Sequence, residues 1–229
     1  MAKIVVIGSS NTDMVVSTPK MPAPGETVIG NEFDIIQGGK GGNQAVAAAR
    51  ANGTVSFIAK VGDDDFGRNA IAGYKADNIN TSNIFVDPIE PTGIAVIIVE
   101  ETTGQNSIVV ASGANSNLLV EEIKKIEKVI IETDVVLLQL EIPLDVVHYS
   151  LKICNQHGIK TILNPAPARH LSDEILSLVD IITPNESEIR LLTGIDPIGE
   201  TEVKKAATIL LKKVKDTVIV TLGDKGVYF

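Results

Sequence analysis

The sequence predicts an α/β protein built on a parallel sheet, with a small additional β layer. Three observations predict it. Short β-branched runs alternate with longer segments of helical period, which is the pattern of a parallel sheet with crossover helices. Several of the runs are apolar throughout, as strands covered on both faces are. Two regions break the alternation with strands that have no helix between them.

In chain order, Lys3–Ile7 reads as the first strand. Residues 14–17 and 27–37 follow as strands without an intervening helix, separated by the turn Pro22-Ala23-Pro24-Gly25. Four glycines around Lys40 lead into an Ala-rich helix expected to start near Gln44, with Asn43 placed to cap it. Residues 55–59 form the next strand. Asp63, Asp64 and Asp65 then read as helix-start acids rather than a calcium loop, because the twelfth position holds Tyr74 where a bidentate Glu is needed. Gly93–Glu100 and residues 105–111 form a hairpin through the turn Glu101-Thr102-Thr103-Gly104.

One helix is expected over residues 118–131, with Leu118, Leu119, Ile123, Ile126 and Ile130 facing in. A strand at 135–140 precedes a helix whose apolar side carries Val146, Val147, Leu151, Ile153 and Cys154. Strands at Lys160–Leu163, 181–183 and 217–220 complete the alternation. Between the last two, Val203, Ala206, Ala207, Leu210, Leu211 and Val214 recur at spacings of three and four, one buried stripe on a helix. The final residues 226–229 read as the start of a strand with no partner in the chain, and an unpaired apolar edge favours aggregation.

Composition narrows function by exclusion. Twenty Lys and Arg against 29 Asp and Glu give a net charge of −9, a surface that repels nucleic-acid backbones. Five Phe, three Tyr and no Trp are too few for base-stacking platforms. No run approaches the length of a membrane span, the N-terminal apolar run is too short for a signal peptide, and a cytoplasmic location is expected. The single cysteine, Cys154, excludes an intrachain disulfide or a multi-thiolate zinc site. His148, His157 and His170 lack metal-ligand spacing, and no G-x-S-x-G elbow occurs.

Ligands of open parallel sheets collect beyond the carboxyl ends of the strands. There the sequence places Asn11, Asp13, Glu141, Asn164, Asn185, Thr221 and Gly223, so five strands direct polar groups or glycines to one rim. The segment Gly38-Gly39-Lys40-Gly41-Gly42-Asn43 is the strongest local signal. It is neither a P-loop, since Gly41 follows Lys40, nor a dinucleotide fingerprint, since residue 44 is Gln. Its backbone N–H groups are expected to surround a helix N-terminus suited to an anionic or polyhydroxylated ligand.

With these residues in view, the sequence resembles the ribokinase-like carbohydrate kinases, also called the phosphofructokinase-B type. GSSNTD (8–13), PGETVIGNEF (24–33), GGKGGNQAVAAAR (38–50), VGDDDFG (61–67), QLEIP (139–143), NPAPA (164–168), ITPNESE (182–188) and TLGDKG (221–226) fall in the family's order. Within the family, four of these segments are closer to the ribose-phosphorylating members than to fructokinases, adenosine kinases or tagatose-phosphate kinases.

The resemblance implies a three-layer α/β/α sandwich, residues 1–229 forming one domain with a small β-sheet lid inserted at about 14–37 and 93–111. In the family such lids commonly pair into a homodimer. It implies ATP-dependent phosphorylation of D-ribose at O5, with Asn11, Thr12, Asp13, Gly39, Lys40, Gly41, Gly42, Asn43 and Glu141 holding the sugar. Asn185, Thr221, Leu222, Gly223, Asp224, Lys225 and Gly226 would contact ATP, and Glu188 would help organise Mg²⁺. The family's Gly-Ala-Gly-Asp segment, which carries the catalytic base, its adenine pocket and its K⁺ ligands follow the TLGDKG strand end. They are expected beyond Phe229, so that no catalytic residue is assigned in this chain and the chain alone is expected to be inactive. A non-catalytic sugar-binding fragment, or a kinase of another sugar or a nucleoside, is the alternative.

Overall fold

The computed structural model describes all residues, 1–229. Seven parallel strands form the central sheet: β1 (Lys3–Ile7), β4 (Thr54–Gly62), β5 (Asn80–Asp87), β8 (Val135–Leu138), β9 (Lys160–Leu163), β10 (Ile181–Ile182) and β11 (Thr217–Val218). Their spatial order is β11-β10-β9-β8-β1-β4-β5. The order reverses at β1, and at such a switch point the connections leave to opposite sides and open a crevice.

Period-two alternation in β1 explains the layers. Val5 and Ile7 enter a cluster of 28 buried residues, whereas Val6 enters a cluster of eight on the other face. The smaller cluster is covered by α1 (Lys40–Arg50) and α2 (Asp65–Ala76), which contribute Ala45, Ala70 and Tyr74. The larger lies under α3 (Val120–Lys125), α4 (Glu127–Ile131), α5 (Leu144–His157), α6 (Asp173–Leu176), α7 (Glu186–Thr193) and α8 (Glu200–Leu211). Cys154 is fully buried there, in the packing role its helical position predicts. Burial pushes its thiol up to about 12.

A second sheet stands outside these layers. It consists of β2 (Asn11–Thr18), β3 (Phe33–Gly38), β6 (Gly93–Glu100) and β7 (Asn106–Ala111), in the order β3-β2-β6-β7. Only three residues, Gly8, Ser9 and Ser10, connect β1 to β2. The sugar-binding candidates therefore sit where the chain passes from one sheet to the other.

Several expectations are corrected. Residues 27–32 are not strand, and β3 begins at Phe33. The helix expected from Gln44 begins at Lys40 with Gly39 as its cap residue, so Asn43 lies in its first turn and caps nothing. The helix expected over 118–131 is two helices broken at Ile126, and Leu119 is exposed as the residue before the first. β5 was not expected, because its Asn80, Ser82, Asn83 and Asp87 interrupt the apolar pattern. The strand expected over 217–220 divides into β11 and β12 (Val220–Thr221). Finally, β13 (Val227–Tyr228) has a partner: it pairs antiparallel with β12, Val220 opposite Tyr228 and Thr221 opposite Val227.

Candidate functional site

The glycine-rich turn is shaped first by packing. A Cβ on Gly41 would lie 2.6 Å from the backbone of Gly8 and Ser9, and Gly39 has φ +84° with the Asn11 nitrogen close by. These glycines let the start of α1 press against the β1–β2 crossing. The first N–H groups of α1 are thereby consumed within the chain. Lys40 N–H donates to Glu141 Oε2 (3.0 Å), Gly41 N–H to Ser9 Oγ (3.4 Å) and Gly42 N–H to the Ser9 carbonyl (2.9 Å). The expectation of an open helix N-terminus facing a ligand is corrected: the Glu141 carboxylate already occupies it, where the helix dipole favours an anion.

Around this turn lies a cavity of about 490 Å³, lined by Asn11, Lys40, Val110, Ser112, Asn115, Ser116, Glu141 and Arg169 among others. Ser9 Oγ donates to Glu141 Oε2 at 2.5 Å, and Lys40 Nζ stands 3.6 Å from Oε1. One carboxylate oxygen is thus held by the fold while the other faces the cavity beside a cation.

Asp13 lies across Gly38, where any Cβ would come within 2.2 Å of its carboxylate. Burial, reinforced by the Glu141 charge and opposed by Lys40, raises the Asp13 pKa. No hydrogen bond within the chain contributes to it, so the carboxylate is free to accept from a ligand. Thr12 is buried beside it. Asn43 lines a cavity with Gln37, Gly38, Gly42, Arg50, Tyr74 and Asp77, on the side of the turn where Gly38 packs against Asp13. Asn164 donates from Nδ2 to the Thr183 carbonyl (3.1 Å) and ties two strand ends together.

A second cavity, of about 710 Å³, lies further along the same rim and is lined by Asn185, Glu186, Ser187, Arg190, Asp196, Thr221, Gly223, Gly226 and Val227. The β12–β13 hairpin forms one wall, with Gly223 at φ +59° and Gly226 at φ +88° making its turn. Leu222 and Lys225 face a neighbouring cavity on the other side of that hairpin, and Lys225 pairs with Glu186 at 3.7 Å. Asp224 sits in the exposed turn.

Asn185 caps α7: its Oδ1 accepts from Glu188 N–H (2.8 Å), and Glu188 Oε2 accepts from Asn185 N–H (2.8 Å). Glu188 Oε1 takes a further donor, Asn185 Nδ2 at 3.0 Å. Burial raises the Glu188 pKa, and both the Asn185 backbone and the charge of Lys40 work against that. Lys40 is therefore within electrostatic reach of Glu188, which is buried behind Asn185 and lines neither cavity, as well as of Glu141. No group of three or more His, Cys, Asp or Glu side chains is gathered to hold a metal ion, and both Glu188 oxygens are engaged, so Glu188 does not fit a direct ligand role.

Sequence reasoning missed Ser112, Asn115 and Ser116, and in the second cavity Arg190 and Asp196. Ser112 precedes, and Asn115 and Ser116 lie within, a 3₁₀ turn after β7 (Gly113–Asn117) whose sequence, GANSN, carries no periodic signal.

A parallel sheet with two polar cavities side by side on one rim, joined to a small second sheet, is an arrangement that can hold two small polar ligands next to each other. The particular family follows from the whole sequence. The chain belongs to the pfkB family of carbohydrate kinases, whose family profile, "pfkB family carbohydrate kinase", matches residues 1–229. It is 45% identical over 225 residues to a ribokinase of Haemophilus influenzae, covering 98% of this chain and 73% of that protein. It is 39% identical over 224 residues to a deoxyribokinase of Salmonella typhi, covering 97% of this chain and 73% of the relative. Among solved structures, the Arabidopsis thaliana ribokinase complexed with ribose and ATP superposes with a TM-score of 0.87 at 28% identity, over 99% of this chain and 73% of that one.

Proposed function

We propose that this chain binds D-ribose in the cavity at Lys40 and ATP in the cavity at the β12–β13 hairpin, as part of a kinase that phosphorylates ribose at O5. The products are D-ribose 5-phosphate and ADP. The observation that carries the reading is the placement of the two polar cavities on one rim, with Lys40 beside Glu141 in the wall of the first and its charge felt at Glu188, the residue that caps Asn185 in the wall of the second. The names and bound ligands of the ribokinase relatives support the same pair of substrates.

In this reading Asp13 and the free Glu141 oxygen accept sugar hydroxyls, while Asn11 and Lys40 donate to them. Such a set rejects analogues that lack those hydroxyls, because its buried polar groups are then left unpaired. Asn185, Thr221, Gly223 and Gly226 contact the nucleotide. Mg²⁺ enters with the ATP phosphates as part of the substrate, and Glu188 acts on the nucleotide site through Asn185. Phosphoryl transfer then depends on positioning and charge stabilisation rather than covalent chemistry by the protein. The protein works in the cytoplasm; no helix is long and apolar enough to cross a membrane. The second sheet is a lid over the sugar, and two lids pair in a homodimer.

Calorimetric titration with ribose, fructose and adenosine tests the sugar, with ribose expected to bind most tightly; tighter binding of either competitor overturns the choice. The deoxyribokinase relative favours 2-deoxyribose as a second reading, so it belongs in the same titration. A coupled ADP-release assay with ribose and ATP tests turnover.

A further inference from the structure

Asn115 is 1% exposed, and its carboxamide lies within hydrogen-bond distance of four groups: the N–H and the carbonyl of Ser10, the carbonyl of Ser112 and Oδ1 of Asn11. Its Oδ1 accepts from Ser10 N–H at 2.8 Å. Its Nδ2 lies 3.1 Å from the Ser10 carbonyl and 3.0 Å from the Ser112 carbonyl, and shares its two hydrogens among these two acceptors and a third. A backbone N–H can only donate and a carbonyl can only accept, so these three contacts admit one orientation of the carboxamide. The fourth contact follows from that orientation. Asn115 Nδ2 donates to Asn11 Oδ1 at 2.7 Å, and Asn11 must therefore turn its own NH₂ the other way. Asn11 lines the sugar cavity, and its Nδ2 has no partner within the chain.

We infer that Asn115 is a positioning residue for sugar recognition: it fixes the Asn11 carboxamide so that a donor, not an acceptor, faces the cavity. The inference rests on the sugar-site reading above. The donor matters because Asp13 and Glu141 present only acceptors when ionised, so a hydroxyl that donates to either still needs something to accept from. The same residue also joins the two sheets. Ser10 belongs to the β1–β2 crossing and Ser112 follows β7, while Gly93, opposite Asn11 at the start of β6, has no room for a side chain. A Cβ there would fall 2.3 Å from Asn115 Nδ2 and 2.4 Å from Asn11 Oδ1. Three crossings thus converge on one amide.

The test is a double-mutant cycle on ribose affinity, read by calorimetry for the unaltered chain, Asn11→Ala, Asn115→Ala and the double variant, with thermal midpoints recorded for each. Each single change is expected to weaken ribose binding about 10-fold or more, and the double variant to be little weaker than Asn11→Ala alone. Additive losses, or an unchanged affinity in Asn115→Ala, overturn the inference while leaving the sugar site intact. An unchanged affinity in Asn11→Ala overturns the sugar-site reading and the inference with it. Should Asn115→Ala fail to fold, side-chain amide NMR on the unaltered chain decides. Ribose is expected to move the Asn11 NH₂ resonances and to leave the Asn115 pair slowly exchanging, and an unmoved Asn11 pair counts against it.

Discussion

Asp13 shows a conflict between stability and recognition at a single residue. Its pKa is raised by burial and by Glu141, so the folded chain keeps this proton to a higher pH than the unfolded chain does. The charged carboxylate therefore costs the fold stability above the raised pKa, and that cost disappears as pH falls through it. If Asp13 accepts a sugar hydroxyl as proposed, ribose binding runs the other way, since the protonated group loses acceptor capacity. We predict that Asp13→Asn raises the thermal midpoint at pH 7 and weakens ribose binding about 10- to 100-fold, the range for a hydrogen bond to a charged acceptor. A variant that melts lower, or binds ribose as before, contradicts this. The effect of pH should agree, with ribose affinity falling at pH values above the ordinary aspartate value of 3.8. Asp13 was legible in the sequence because it follows a strand end in GSSNTD. Asn115 was not, because its partners are about a hundred residues away and only the folded chain brings them together.

Elements were legible where local pattern and tertiary burial agree, and illegible where they part. β1 and β9 match their apolar runs to the residue, while β5 is hidden by its polar residues and the 118–131 helix by its continuous helical period. The glycine turn into α1 sets two magnitudes against each other. Replacing a helical Gly by Ala gains about 1 kcal/mol of propensity, but a Cβ 2.6 Å from the Gly8–Ser9 backbone forces overpacking that costs about 1–3 kcal/mol. Because the clash is with backbone, it should win. Gly41→Ala is expected to lower stability by up to about 2 kcal/mol in urea unfolding and to weaken ribose binding by displacing Lys40 from Glu141; a stabilised variant contradicts the packing account. At the other cavity, Asn185→Ala removes a helix cap worth about 1 kcal/mol and also takes a donor from the buried Glu188. Its loss should reach about 2 kcal/mol, with ATP affinity falling and ribose affinity unchanged. Equal loss of both ligands means instead that the cap supports the whole rim.

At the scale of the molecule, the second sheet is the part whose burial is unexplained by the chain alone. Both its edge strands are exposed along their length: Phe33, Ile35 and Ile36 on β3 are 58%, 55% and 53% exposed, and Ile108, Val109 and Val110 on β7 are 54%, 70% and 47% exposed. Adjacent residues of a strand point to opposite faces, so apolar side chains stand on both sides of the sheet. The face carrying Asp13 turns toward the sugar cavity, which Val110 lines. Exposed apolar residues on unprotected edge strands invite pairing with another chain, and a closed two-fold pairing satisfies both copies at once where an open one would aggregate. We therefore predict that the protein sediments as a dimer at micromolar concentration and that Ile108→Glu combined with Val109→Glu, which charges both faces, yields a monomer with an intact circular-dichroism spectrum. Because Val110 reaches the cavity from the same strand, the monomer should also bind ribose more weakly. A monomeric unaltered protein, or a dimer indifferent to the two glutamates, places the partner surface elsewhere on the molecule.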